Sequence, residues 1–418
     1  MDDHHSSPMV DHLFRHQYGK MVAILSKIFG LSHLELIEDA IQDTFLKAAL
    51  QWKINKPEHP EAWLTQAAKH RVIDLIRQIN ARKSRNQHFH DEPMASELDD
   101  YFLEHEIRDS QLRMIFVAAH PSFSREEQIV FALKTISGFS LKEIAAALLQ
   151  KEETIKKRLQ RTRAKIKDAE IQLEFPQAHE IESRFAMVLQ VIYLIFNEGF
   201  HSTKKDVLID RELCGEAMRL CRLLLIKENF RTGSLYALFA LMCYHASRLD
   251  AKVEQGEIMD LKTQDRSKWH LPLIVLGNDA LRKTEDYPDF SLYHLEAAVA
   301  MEHVRAIKFE NTNWQNIIAL YDQMLEMMPS DAIALSKSIA HLQIDELEQS
   351  YLILKSIHPD ALGSRAYLWH GAMAEYYEKS GQFQDALHCI QTAVSTCSSE
   401  LEQKFLIKKR STIESNLI

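Results

Sequence analysis

The sequence predicts an all-α protein. Glycine and proline are scarce, with 11 and 10 of 418 residues, and residue types that favour helices dominate. Along most of the chain, apolar residues recur at the three-to-four-residue spacing of amphipathic helices. We therefore expect almost no sheet. A chain of this length has room for about two to four domains, each with its own core.

The first predicted domain covers residues 10–85 and is a bundle of helices interrupted by a loop. Pro57 and Pro60 mark this loop, which runs from residue 53 to residue 60. The helix before the loop carries acidic side chains beside its apolar stripe, whereas the helix after it is rich in lysine and arginine. One helix is therefore acidic and its successor is basic.

Residues 86–109 interrupt the helical pattern. They are rich in aspartate and glutamate and poor in regularly spaced apolar residues. A segment of this composition buries too little apolar surface to fold alone. We interpret it as an acidic linker of low order.

The second predicted domain covers residues 110–173. Its segment GFSLKEIAAALLQKEETIKKRLQRTRAKIK, residues 138–167, predicts a short apolar helix, a tight turn and a longer basic helix. Ser140 and Glu143 form a capping-box pattern before the first helix. The second helix has a predicted buried stripe of Ile155, Leu159 and Ile166. This is the layout of a helix-turn-helix DNA reader, and a basic surface helix packed on its neighbours is the alternative.

Cations cover the rest of that second helix, at Lys156, Lys157, Arg158, Arg161, Arg163, Lys165 and Lys167. The whole chain has a net charge of −9, so this helix is a local exception on an acidic molecule. Neutralising the phosphates of a nucleic acid is the simplest use for such a face.

Residues 179–418 predict a further series of amphipathic helices. Within them, AMAEYYEKSGQFQDALHCIQTAV matches the spacing of one tetratricopeptide helix pair. A 34-residue repeat is not sustained, so we expect a helical-repeat-like domain rather than a regular array.

Other function classes have little support in the sequence. The five cysteines form no C-x-x-C pair, so we expect reduced thiols and no metal or other cofactor. No phosphate-binding glycine loop, G-x-S-x-G or H-E-x-x-H pattern occurs, which argues against an enzyme. Without a signal peptide or a long apolar stretch, we expect a cytoplasmic protein that does not contact a membrane.

The first domain resembles region 2 of bacterial RNA polymerase sigma factors of the extracytoplasmic-function type, through FRHQYGKMVAILSKIFG, IEDAIQDTFLKAALQW and HPEAWLTQAAKHRVIDLIR. Residues 112–167 resemble region 4 of these factors. The later part is similar to the subgroup with a long helical C-terminal extension, through LRMIFVAAHPSFSREEQ, VIYLIFNEGF, LCGEAMRLCRLLL and QDRSKWH. The resemblance implies two small helical sigma domains, a region 2 bundle and a region 4 helix-turn-helix, joined by the linker and followed by the extension.

The resemblance implies that the acidic helix of region 2 docks on core RNA polymerase. The candidate contacts are Asp39, Gln42, Asp43 and Phe45. Exposed carboxylates suit a basic partner because they also steer association. A solvated helix face without a partner is the alternative.

The loop and the basic helix of region 2 match the part that reads the minus-10 promoter element, where a base leaves the stack and enters a pocket. The candidates for this role are Asn55, Lys56, His59, Lys69, Arg71 and Arg77. Trp63 lies on an apolar face, so we favour a core role for it over base stacking.

In region 4 the second helix of the helix-turn-helix would lie in the major groove of the minus-35 element. Its candidates for base edges are Glu153, Thr154, Lys157 and Gln160, and its candidates for phosphates are Lys156, Arg158, Arg161 and Arg163. The run KEETI lacks the small residue that many relatives have before the threonine, which leaves the base preference open.

The extension is implied to regulate the sigma domains or to recruit a regulatory protein. On a predicted turn, Asp265, Arg266 and Trp269 are candidates for contact with the sigma domains, and a salt bridge within the extension is the alternative. The segment VIYLIFNEGF is either a contact element or a buried helix that ends in a turn at Asn197–Gly199.

The expected function is promoter recognition and transcription initiation, with core RNA polymerase and promoter DNA as partners. A helical scaffold, or a DNA-binding regulator with degenerate polymerase binding, is the alternative. The presence of both the acidic and the basic helices favours the sigma factor.

Overall fold

The computed structural model describes residues 8–52, 55–83, 104–148, 150–200, 209–254 and 256–416. The chain forms two compact units, Met1–Ile195 and Phe196–Ile418. Among the described residues, sheet is limited to one antiparallel hairpin of strands β1 (Val253–Glu254) and β2 (Glu257–Ile258). The expected all-α fold is therefore confirmed.

In the described part of the first unit, eight α-helices start: α1 (Pro8–Phe29), α2 (Leu34–Gln51), α3 (Pro60–Lys83), α4 (Glu104–Ala118), α5 (Arg125–Phe131), α6 (Leu141–Ala147), α7 (Glu152–Asp168) and α8 (Ala178–Phe200). A π-helical turn, Ala132–Ile136, continues α5. The division between the units falls within α8.

Helices α1, α2 and α3 form a bundle around one apolar core. Side chains at helical spacing meet there and are fully buried, including Val22, Leu25, Ile37, Ile41 and Leu64. The apolar stripe predicted for α2 is therefore the stripe that the bundle buries.

Helix α4 packs on α1 and shortens the predicted linker. The part of the linker at residues 104–109 is helical, and Glu106 pairs with Lys27 of α1. Acidic composition alone did not show that a basic partner on α1 would hold this segment in a helix. Residues 86–103 of the predicted linker lie outside the described residues.

Helices α6 and α7 form the predicted helix-turn-helix. The amide of Ser140 donates to the Glu143 carboxylate at 2.8 Å, and the amide of Glu143 donates to the Ser140 hydroxyl at 3.1 Å. This reciprocal pair confirms the predicted capping box. The predicted stripe of α7 is buried, at Ile155, Leu159 and Ile166.

Helix α1 also packs against the π-helical turn, which belongs to the second predicted domain. The backbones approach so closely at Gly19 that a Cβ atom there would overlap the carbonyl oxygen of Ile136. Only glycine permits this contact, because any other residue would place a side-chain atom inside the neighbouring backbone. The two predicted sigma domains are therefore in direct contact within the first unit.

The second unit continues with α9 (Arg211–Ile226), α10 (Gly233–Ser247), α11 (Leu249–Lys252), α12 (Leu271–Lys283), α13 (Leu292–Arg305), α14 (Trp314–Met327), α15 (Asp331–Gln343), α16 (Leu347–Ser356), α17 (Ala366–Lys379), α18 (Phe383–Thr396) and α19 (Glu400–Ser415). Successive helices pack on one another from α13 to α19.

The predicted tetratricopeptide-like pair corresponds to α17 and α18. These helices pack together, and Ala374, Ala386, Ile390 and Ala393 share one buried cluster. The helical hairpin is therefore confirmed, while its assignment to the tetratricopeptide type stays a prediction.

The turn predicted at Asn197–Gly199 is wrong, because α8 continues to Phe200. A Cβ atom on Gly199 would lie 2.8 Å from the carbonyl oxygen of Asp210, just before α9. The glycine therefore serves close packing inside a helix rather than a turn. None of the helices in the described ranges is long and apolar enough to span a membrane.

Candidate nucleic-acid interface

Helix α7 separates an apolar face from a polar, exposed face. The apolar face buries Ile155 and Leu159 against the rest of the domain. The exposed side chains include Glu153, Thr154, Lys156, Lys157, Gln160 and Arg161, together with Glu152, Lys167 and Asp168 at the ends of the helix. All four candidates for base edges are in this set, and two of the four candidates for phosphates are.

The other two phosphate candidates on α7 have partners inside the first unit. Arg158 is half-buried and donates to the side-chain oxygen of Gln150. Arg163 donates to Glu35 of α2 at 3.0 Å and also pairs with Glu38 of α2. In this arrangement Arg163 joins two domains and is not available to a phosphate, so its predicted role is corrected.

Glu38 is the buried centre of this contact, with a relative exposure of 1%. It also accepts a hydrogen bond from Thr135 at 3.3 Å. Burial opposes charge on Arg163, but the carboxylate of Glu38 prevails and raises the pKa of Arg163. Burial lowers the pKa of the neighbouring Lys134. The pair between α2 and α7 is therefore a desolvated charge pair rather than a surface one.

Beside this pair, α2 and α7 line a cleft of about 490 Å³. Its walls include Asp39 and Gln42 of α2 and Lys156 and Gln160 of α7. The acidic face predicted for polymerase docking and the face predicted for DNA thus lie side by side.

The four candidates on α2 divide into surface and interior positions. Asp39 and Gln42 are exposed, and burial together with Glu35 raises the pKa of Asp39. Asp43 is half-buried and accepts a bond from Arg71 at 2.8 Å. Phe45 is 4% exposed and packs edge-on against Phe14, so it is a core residue and is corrected as a docking contact.

The six candidates for the minus-10 element are also divided by burial. Asn55, Lys56, His59 and Arg77 are exposed. Arg71 is half-buried and is held by Asp43. Lys69 is 1% exposed, which removes it from the surface in this arrangement and corrects its predicted contact with DNA.

A recess of about 390 Å³ lies next to the loop between α2 and α3. Asn55 lines it together with Gln51, Trp52, Pro57 and Trp63. The rings of Trp52 and Trp63 meet edge to face, with centroids 5.5 Å apart. Sequence reasoning missed Trp52, although its position directly before the loop was a usable signal.

The candidates on the extension have partners within the second unit. Asp265 caps its own turn by accepting from the Ser267 amide at 3.0 Å. Arg266 donates to the carbonyls of His303 and Ala306, and Trp269 is 8% exposed. These contacts match the alternative of a role inside the extension, and contact with a sigma domain stays a prediction.

The start of the extension does contact the predicted region 4 within the first unit. Arg184 of α8 donates to the carbonyl of Phe116 of α4 at 2.8 Å. The rings of Phe116 and Phe185 lie 6.3 Å apart. The sequence had not indicated Arg184 or Phe185.

Comparison with known families assigns three parts of the chain. Residues 13–82 match the family model of Sigma-70 region 2, and residues 113–166 match that of Sigma-70, region 4. Residues 184–285 match a family of unknown function, DUF6596. An uncharacterized protein of Rhizobium meliloti (strain 1021) is 30% identical over 386 residues, which cover 90% of this chain and 89% of that protein.

The chain belongs to the sigma-70 family. It is a sigma factor like those of the extracytoplasmic-function type, with a long C-terminal extension. No solved structure matches it significantly.

The two sigma regions give this sigma factor a role in promoter recognition. They are the domains of a non-catalytic transcription factor that acts with core RNA polymerase and promoter DNA. The exposed face of α7 lies in region 4. The recess beside Trp52 and Trp63, called the tryptophan recess below, lies in region 2.

The cysteines of the sigma factor are free thiols. Burial raises the pKa of Cys214 and of Cys243 to about 12. Cys389 is half-buried, and burial raises its pKa as well. Thiols with raised pKa values react slowly with oxidants, so inert packing suits them better than redox sensing.

Proposed function

We propose that the chain docks on core RNA polymerase through the exposed part of α2, reads the minus-35 element with α7 and holds a minus-10 base in the tryptophan recess. The exposed run of polar and cationic side chains on α7, set on a buried apolar stripe, supports this most directly. A helix of this kind suits a major groove lined by phosphates.

The recess supports the second part of the proposal. A flipped base needs an aromatic surface and polar atoms for its edge. Trp63 offers the first and the exposed amide of Asn55 the second. Base stacking therefore gains support over a purely structural role for Trp63.

We further propose that the free protein is closed by the contact of region 2 with region 4. Arg163 bridges the domains. The cleft between α2 and α7 is lined by candidates for polymerase docking on α2 and by candidates for DNA contact on α7. Polymerase that binds α2 would compete with α7 for the same face of α2. Binding then favours the arrangement in which α7 is released to DNA.

Reconstitution with core RNA polymerase tests the proposal. Asp39→Lys combined with Gln42→Lys should weaken core binding at low salt, because both side chains are exposed on α2. Glu182→Lys, which reverses an exposed carboxylate on α8, is the matched control. Equal core affinity for both proteins would rule out α2 as the docking face.

The extension is proposed to support region 4 through α8. Arg184→Ala should lower transcription by the holoenzyme, because it removes the bond to the Phe116 carbonyl. Glu182→Lys again serves as the control. Unchanged transcription together with unchanged stability would show that this contact has no role in region 4.

A further inference from the structure

The second unit contains a cluster of cations that promoter binding does not explain. Arg248 is at its centre, with its guanidinium carbon 5.8 Å from the ring centroids of both Phe200 and Trp269. Lys252 lies 3.8 Å from the centroid of Phe200, and Arg266 lies 4.4 Å from that of Trp269. All three cations are only partly exposed.

No carboxylate of the described residues pairs with these three cations. Glu402 attracts Lys252 and Glu310 attracts Arg266, both from longer range. Within the described ranges, the hydrogen-bond partner of the Arg248 guanidinium is the ring nitrogen of His245, at 3.4 Å. Partly buried cations usually have an acidic partner, because desolvation of a lone charge is costly.

Ends of helices offset part of this charge. Lys252 donates to the Phe200 carbonyl at the end of α8, and Arg266 donates to carbonyls at the end of α13. The backbone amide of Arg248 caps the C-terminal end of α10, so its side chain starts at a third helix end. The C-terminal end of a helix carries about half a negative charge, so three such ends do not balance three cations.

Two N–H donors of the cluster are buried without a partner among the described residues. They are the indole nitrogen of Trp269, whose side chain is more than nine-tenths buried, and one terminal nitrogen of Arg266. Buried donors usually have a hydrogen-bond acceptor, and an acceptor is what this cluster lacks.

Burial and mutual repulsion both disfavour positive charge in the cluster. Burial, followed by the charge of Arg248, lowers the pKa of Lys252 to about 7. Burial, followed by Arg248 and Arg266, lowers the pKa of His303 to about 3. An anion in the cluster would reverse these shifts.

We propose that Arg248, Lys252, Arg266 and Trp269 bind the phosphate group of a small soluble molecule. Three cations and an indole donor suit the two negative charges and the several acceptor oxygens of a phosphate better than the single charge of a carboxylate. The proposal does not depend on the proposed sigma activity.

A groove for the remainder of such a molecule lies beside His303, and the four residues of the cluster do not line it. Arg266 binds the carbonyl of His303, and His303 lines an adjoining groove of about 970 Å³. Phe309, Trp314 and Tyr321 also line this groove. The groove has room for a ligand larger than phosphate alone.

Titration of the full-length protein with inorganic phosphate at constant ionic strength tests the site. We expect saturable binding, and about tenfold or greater weakening in Arg248→Gln and in Lys252→Met, because each loses a charge-assisted contact. Trp269→Phe, which removes the indole N–H, should weaken binding as well. Arg282→Gln, at an exposed arginine of the same unit, should bind like the wild type.

Helix α7 could also attract phosphate, so a protein with Lys156, Lys157 and Arg161 changed to Gln is tested in parallel. It should bind phosphate like the wild type. Loss of binding in this variant, absence of saturable binding in the wild type, or equal binding of acetate would overturn the proposal.

Protonation and stability give two further readouts. At pH 8 phosphate binding should take up a proton in the wild type. Lys252 then becomes charged against burial and the repulsion of Arg248 and Arg365, and with the attraction of Glu402. Lys252→Met should lack this uptake. Without phosphate, Arg248→Gln should raise the Tm, because it removes one of the repelling charges. If the variant instead has a lower Tm, and phosphate does not change the Tm of the wild type, the cluster has only a structural role.

Discussion

The two basic helices, α3 of region 2 and α7 of region 4, use their cations in different ways. On α7, Lys156, Lys157 and Arg161 are exposed. On α3, Lys69 is buried and Arg71 is held by Asp43. Among the described side chains, α7 therefore presents several cations to solvent, whereas α3 presents Arg77 but keeps Lys69 buried and Arg71 paired with Asp43. Composition alone predicts a nucleic-acid contact only where the cations reach solvent.

The largest expected effect distinguishes α7 from α3 directly. Changing Lys156, Lys157 and Arg161 together to Gln should lower promoter affinity of the holoenzyme by about a hundredfold or more. It should reduce the salt slope by about two units, because Lys156 and Arg161 are the phosphate candidates and each phosphate contact contributes about 0.9. Binding measured across a range of salt concentrations checks this. A slope equal to that of the wild type would contradict a phosphate role for α7.

The next largest effect concerns the buried partner of Arg163. Glu38→Gln should lower the free energy of unfolding of the first unit by about 3 kcal/mol, because it removes the buried carboxylate that pairs with Arg163 and leaves the guanidinium with the exposed Glu35. Denaturant unfolding measures the loss. Arg163→Gln alone and the double variant complete a cycle, and additive losses would show that the two side chains do not interact.

An intermediate effect is expected in the recess. Trp63→Ala should weaken formation of the open complex by about 1–3 kcal/mol, the range for stacking of one base on an aromatic ring. Fluorescence of a base analogue in the minus-10 element follows the opening, and Trp63→Phe serves as the conservative control. A loss of stability with normal promoter opening would return Trp63 to a core role.

The smallest effect is expected at Arg71 of α3. Arg71→Gln should cost less than about 1 kcal/mol of stability, since its pair with Asp43 is half-exposed, and it should leave the salt slope of promoter binding unchanged. The same binding and unfolding measurements apply. A decrease in the salt slope as large as that caused by the loss of one α7 phosphate contact would show that Arg71 of α3 also contacts DNA.

Features with local causes could be predicted from the sequence. The capping box of α6 joins residues three positions apart, and the stripe of α7 follows the helical period, so both were readable. The pairing of Arg163 with Glu35 joins residues 128 positions apart, and no local pattern encodes it. The burial of Lys69 and Phe45 depends in the same way on which neighbours pack against them.

The candidate sites follow the same rule. Positions that face solvent by helical period, such as Gln42 and Lys157, are exposed as expected. Trp52 forms a recess with Trp63 because α2 packs against α3, which brings together residues from two different helices. The cation cluster of the second unit joins the ends of several helices, which no single segment reveals.

The close approach of Gly19 to Ile136 also has a consequence for how this protein can evolve. Every single-residue replacement of Gly19 adds at least a Cβ atom, and that atom has no room. Substitutions at this position therefore cannot weaken the contact by small steps. A homologue either keeps the glycine or loses the close contact between the two backbones. Charged positions such as Glu35 allow smaller changes in the strength of the contact between the domains. A substitution there removes an ion pair but adds no atom between the two backbones.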